Sequence, residues 1–138
     1  MAQFLLSLNT IFEMDGEKDS IEMTCPAQYS YSENEAKIIY DEYGEDGVPT
    51  HTVITASGDT VEVNRSGAVQ LNLLLREGMA GSDRYELGEN MILIDYFADR
   101  VSCSLSENGG TVNLSYRIDL GGAVSKNTII MSVKETCE

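Results

Sequence analysis

The stretch VSCSLSENGGTVNLSYRIDL, Val101 to Leu120, leaves its backbone little choice. Val101, Cys103 and Leu105 alternate with serines, and Val112, Leu114, Tyr116, Ile118 and Leu120 alternate with polar residues. This is the period-two pattern of strands with one dry face. A two-residue type I′ turn at Asn108 and Gly109 predicts the pairs Leu105–Val112, Cys103–Leu114 and Val101–Tyr116, with every apolar residue on one side. A one-residue slip would turn all of them into water.

The same requirement governs VNRSGAVQL, Val63 to Leu71. A two-residue turn at Ser66 and Gly67 would oppose Val63 to Gln70 and mix the faces. A three-residue loop of Arg65, Ser66 and Gly67, with Gly67 left-handed, instead pairs Val63 with Val69 and Val61 with Leu71. Arg65 is then a turn cation at one end of the sheet, either solvated or anchoring an anionic group of a ligand. At the N-terminus a four-residue loop, Asp15 to Lys18, pairs Phe12 with Ile21 and Leu8 with Cys25. LNLLLREGM holds good helix formers, yet the spacing of Val69, Leu71, Leu73 and Leu75 predicts a strand, with Leu74 off phase and a short helix as the other option.

Further strands near Ala36–Tyr43, Thr50–Ala56, Asp83–Leu87, Met91–Tyr96 and Asn127–Lys134 complete an all-β chain. A closed antiparallel meander barrel of about 8–10 strands removes the exposed edges that an open sheet would leave. The 138 residues suit a single domain over residues 1–138, large enough to bury roughly two-thirds of the surface its unfolded form exposes.

Acidic residues number 23 against 9 basic ones, a formal charge of −14 that repels phosphate and argues against nucleic acid and membrane partners. The excess is uneven, with 11 acids and 2 bases in residues 1–50 against 12 and 7 in residues 51–138, so a cationic protein partner would meet the N-terminal half. The opening MAQFLLSLNTIF lacks the basic start and unbroken apolar run of a signal peptide, and no stretch reaches the roughly 18 apolar residues of a membrane span. Cys25, Cys103 and Cys137, odd in number and without a C-x-x-C pair, fit reduced thiols better than a disulfide framework. Together these features predict a cytoplasmic protein.

Catalytic chemistry finds few candidates. The single histidine, His51, sits on a strand between threonines, and no G-x-S-x-G elbow occurs. Metal-ligand spacing is absent, and the acidic stretches DGEKD and DEYGEDG lack the calcium-loop pattern. Gly78 and Gly81 lack the lysine of a phosphate loop. No metal, no cofactor and no enzymatic activity are therefore expected. Tyr40, Tyr43, Tyr85, Tyr96 and Tyr116 are preferred strand formers that also offer an apolar body with a polar tip to a small ligand.

The N-terminal meander, the R-x-G hairpin at Arg65, the strand and Gly-containing loop of LLLREGMAGSDRY with its Tyr85, and the closing NTIIMSV resemble the bacterial DUF1934 (YwiB-like) family over nearly the whole chain. Members of that family often follow the tyrosine with a Thr-Pro-x-Gly type of turn, whereas here Tyr85 leads into ELGEN. The resemblance implies a calycin-like, lipocalin-resembling barrel from cytoplasmic proteins, with no established activity to carry over. With no Trp in the chain, the opening motif of secreted lipocalins is missing. The function expected on this basis is binding of a small, partly apolar (amphipathic) ligand at the barrel mouth, with Arg65 and Tyr85 as polar contacts. The rival is a filled barrel acting through a protein partner or as a homodimer, and a carboxylate hydrolase is a third, weaker option.

Overall fold

The computed structural model describes residues 3–43 and 47–136. Ten strands follow one another: β1 (Gln3–Met14), β2 (Glu17–Ser32), β3 (Glu35–Tyr43), β4 (Pro49–Ser57), β5 (Thr60–Gly67), β6 (Val69–Arg76), β7 (Ala80–Leu87), β8 (Asn90–Ser106), β9 (Gly109–Asp119) and β10 (Val124–Thr136). Each pairs antiparallel with its sequence neighbours and β1 pairs with β10, closing the barrel. The all-β closed meander is thus what the chain forms, with no helix among the described residues.

Alternation decides which side chains fill the interior. Leu6 and Leu8, Ile38 and Tyr40, Ile54 and Ala56, Val61 and Val63, and Leu71, Leu73 and Leu75 are all buried. β8 changes phase midway: Ile94, Tyr96 and Ala98 are buried, after which Val101, Cys103 and Leu105 pack on the core, because the register against β9 shifts between Ala98 and Arg100. That bulge frees Asp99 to accept two hydrogen bonds from the Arg117 guanidinium, at 3.0 and 2.9 Å, while Arg117 lies 4.8 Å from the centre of the Phe97 ring. What reads from sequence as two separate strands is one bent strand of 17 residues.

Faces agree with the alternation, but three hairpin registers differ from the expected ones, each by an even number of residues. β1 pairs Leu8 with Met23 and Phe12 with Asp19, because the turn is Asp15–Gly16, whose φ angles of 52° and 80° suit type I′. β8 pairs Cys103 with Val112 and Leu105 with Gly110, turning at Glu107 and Asn108 instead of Asn108 and Gly109. β5 pairs Val61 with Leu75, Val63 with Leu73 and Arg65 with Leu71. Arg65 is therefore not a turn residue; it continues the inward phase of Val61 and Val63. Gly67 does have a positive φ, 103°, but as the last residue of β5, opposite Thr50 of β4. β6 is a strand, and the off-phase Leu74 points outward, 58% exposed.

The hydrogen-bond ladder is incomplete in two places. β2 bonds β1 over Glu17–Ala27 but bonds β3 only over Gln28–Ser32, which leaves a gap between β2 and the end of β3. β6 bonds β7 only at Val69–Leu87 and Gln70–Glu86. Beyond that point side chains take over: the Asn72 amide donates to Asp83 Oδ2 (2.8 Å) and the Leu74 amide to Tyr96 Oη (3.1 Å).

Candidate functional site

The two ends of the barrel are built differently. At one, Phe4 packs tilted against Tyr29 with ring centres 4.9 Å apart, and the Tyr29 hydroxyl donates to the Ser106 carbonyl at 2.6 Å. At the other, a cavity of about 220 Å³ opens between apolar walls that include Leu8, Ile54, Val63, Leu71, Leu73 and Met131. Phe12 and Ile21 belong to its lining and remain partly in solvent. The aromatic residues do not all point inward together, which is why this space survives.

One polar cluster interrupts those walls. Tyr40, Thr52 and Arg65 are successive cross-strand partners on β3, β4 and β5, so period-two geometry turns all three inward in one row. Glu42, two residues along β3, accepts a hydrogen bond from Arg65 Nη2 and forms an ion pair with it; their side chains are 24% and 33% exposed. Arg65 Nε and Thr52 Oγ1 are closed off from solvent and have no hydrogen-bond partner. Burial raises the Tyr40 pKa well above the tyrosine range, Glu42 adding to the effect and Arg65 opposing it. Burial likewise pushes Tyr116 of β9 up to about 12. Both phenols are neutral at physiological pH and line the cavity.

The matching row outside the wall is Asp41, His51 and Ser66, again successive partners on β3, β4 and β5. His51 Nδ1 lies 2.7 Å from Asp41 Oδ1, with the two side chains 52% and 47% exposed. No hydrogen bond joins His51 to Ser66 among the described residues, so this row is an aspartate–histidine pair beside a serine, without the nucleophile–base contact of a triad. A lone histidine in a sequence says nothing of such a row, because the row exists only through the β3–β4–β5 register.

The gap beside β2 holds a second hollow, lined on the outside by Pro26, Gln28, Ile39 and His51. It shares Met23, Tyr40 and Glu42 with the cavity, so these three side chains border both hollows. Cys25 lines this hollow; burial raises its pKa, with further contributions from Glu42 and Asp41. Burial alone raises that of Cys103. Cys137 and residues 44–46 of the acidic DEYGEDG stretch lie outside the described residues. Among the described residues, no three His, Cys, Asp or Glu side chains gather as metal ligands would.

Of the two residues expected to touch a ligand, Arg65 lines the cavity and Tyr85 does not. Tyr85 packs against the core from β7, two positions before the Val69–Leu87 pair, so the structure does not bring the two together. Glu42, Thr52 and Tyr40 were missed in the sequence as partners of Arg65. The signal that could have found them is the inward phase of Ala36, Ile38 and Tyr40 running on into Glu42, a charge where a core residue belongs.

Comparison with known proteins agrees with this architecture. The chain is 24% identical over 116 residues to the uncharacterized beta-barrel protein YwiB of Bacillus subtilis (strain 168), covering 84% of this chain and 81% of that protein. It is also similar to the crystal structure of ywiB protein from Bacillus subtilis, with a TM-score of 0.82 at 23% identity over 95% of this chain and 91% of that one, which shows a shared fold. The family model described as domain of unknown function DUF1934 matches residues 6–131, from the first buried leucine of β1 to the buried Met131 of β10, and the chain belongs to that family.

Proposed function

We propose that this DUF1934 member is a cytoplasmic, calycin-like binding protein, without enzymatic activity, that takes one small, partly apolar molecule into the cavity at the Arg65 end of the barrel. The observation that carries this reading is a compact polar cluster set into an otherwise apolar hollow. An interior of about eight strands is just wide enough to be filled by side chains or to hold one small ligand, and diameter grows with strand number. Ten strands therefore leave room. The volume, about 220 Å³, falls below the roughly 300 Å³ at which sites for drug-sized ligands begin, so the ligand is small. Arg65 is its polar contact, and Tyr85 packs against the core outside the cavity lining. The net charge of −14 keeps nucleic acid and anionic membranes away.

Native mass spectrometry of protein taken from cytosol without refolding tests this. A reproducible small adduct is expected that is lost on denaturation and absent from Leu71→Trp, which fills the cavity. A bare chain in every preparation, or an adduct indifferent to Leu71→Trp, would sink the proposal.

A second reading, self-association without a ligand, is favoured by Met91, Ile92 and Leu93 at the β7–β8 tip, consecutive apolar residues 53%, 46% and 71% exposed. Sedimentation equilibrium would then show a dimer that Leu93→Lys dissociates.

A further inference from the structure

Among the described residues lining the cavity, Glu42 and Arg65 alone carry charge, and they are paired with each other. The pair as a whole is neutral. Among the described residues their one side-chain hydrogen bond joins Arg65 Nη2 to Glu42 Oε2; Arg65 Nε is closed off from solvent, and the rest of the two side chains keeps solvent contact, 33% and 24% exposed. The polar end of the cavity thus presents part of a guanidinium beside part of a carboxylate, with no net charge to attract an ion.

Resting on the cavity reading above, we infer that the ligand carries an uncharged amide head, its carbonyl oxygen accepting from the Arg65 guanidinium and its N–H donating to Glu42. A carboxylate fits poorly. It would have to displace Glu42 or sit beside it, two like charges in a half-buried site, within a protein of net charge −14. An ammonium meets the same difficulty from Arg65. An amide satisfies both partners without breaking the pair, and its hydrogen bonds to the two charged groups give it a gain that an alkane lacks. Hydrogen bonds to ionised groups are the stronger ones, so a ligand that makes two of them is favoured beyond its apolar contact.

The cavity has the volume of about seven liquid waters, within reach of a short aliphatic chain. Octanamide and octanoate, equal in length and different in charge, are the deciding probes, with octane as the apolar control. Titration calorimetry measures the first two. Chemical shifts of the Met23 and Met131 methyls, which line the cavity, localise all three probes, with Met79 and Met91 as exposed references. We expect octanamide to bind at least about tenfold more tightly than octanoate at neutral pH, and Glu42→Gln to reverse the preference by leaving Arg65 uncompensated. Octanoate binding as well as octanamide, or better, in the unaltered protein would overturn the amide assignment while leaving cavity binding intact. That comparison decides even if Glu42→Gln does not fold. Met23 and Met131 shifts unmoved by every probe, octane included, would overturn the binding proposal itself and the amide assignment with it.

Discussion

The ring of Tyr96 occupies the space that a side chain at Gly81 would need, and its hydroxyl accepts the Leu74 amide at 3.1 Å. A Cβ at Gly81 would overlap the ring at Cζ. Glycine is thus required in β7 because the phenol crosses there to finish a wall that backbone pairing leaves open. Gly81→Ala is expected to cost about 1–3 kcal/mol by overpacking. Tyr96→Phe keeps the ring and loses only the acceptor, at a cost of about 1–2 kcal/mol. Urea midpoints of the two single variants and the double variant should be non-additive, since the two residues touch. Strict additivity would mean that the Tyr96 hydroxyl does not lie over Gly81.

Arg65 and Glu42 should behave as a unit. Arg65→Met strands a carboxylate in the cavity wall and should cost about 1–2 kcal/mol, less than for a fully buried pair because both side chains keep some solvent contact. Adding Glu42→Leu should return most of that stability, since replacing both partners leaves no unpaired charge. A double variant no more stable than Arg65→Met in thermal unfolding would count against the pairing.

Alkaline pH should unfold the barrel through its tyrosines. The Tyr116 phenol ionises near 10 in the unfolded chain and only at about 12 in the folded one, because burial disfavours the phenolate. The folded state therefore holds the proton more tightly. The stability this provides is complete below pH 10 and is lost as pH rises from there towards about 12. Tyr40 shifts in the same direction. Absorbance of phenolate against pH should show these two titrating late and together with loss of structure, whereas independent titration of every tyrosine near pH 10 would contradict their burial.

Ser66 should not react as a nucleophile. His51 is held by Asp41 but makes no hydrogen bond to the serine, and the row is open to water. A fluorophosphonate probe is expected to leave the protein unlabelled. Labelling at Ser66, abolished by His51→Ala, would show that the outer row is an active site and end the non-enzymatic reading.

Much of the barrel could be read from the chain, and the misses share one cause. Apolar alternation reports which face a residue occupies, and it assigned Leu8, Cys103, Val61 and Leu71 correctly to the inside. It cannot distinguish registers that differ by an even number of residues, because such shifts leave every face unchanged. Only turn chemistry can. Asp15–Gly16 carried the sharper signal and was absorbed into a longer loop. The same blindness placed Arg65 in a turn when its phase, shared with Val61 and Val63, already pointed inward. Glu42's inward place could be read from the phase of Ala36, Ile38 and Tyr40, but its pairing with Arg65 needs the β3–β4–β5 register, which connects residues 23 apart in sequence.

The closing seam bears on synthesis. β1 and β10 bond from Gln3–Thr136 to Met14–Ser125, and the Thr136 hydroxyl donates to the Gln3 carbonyl across 133 residues of chain. Every other seam joins sequence neighbours and can form as soon as its hairpin leaves the ribosome. This one cannot. At about 5–20 residues per second, β1 waits on the order of ten seconds with one edge unpaired, while the growing sheet curls towards a strand that does not yet exist. Pairing so distant in sequence is slow to nucleate, so the nascent chain spends that interval as an open sheet, the state most exposed to strand exchange with a neighbouring copy.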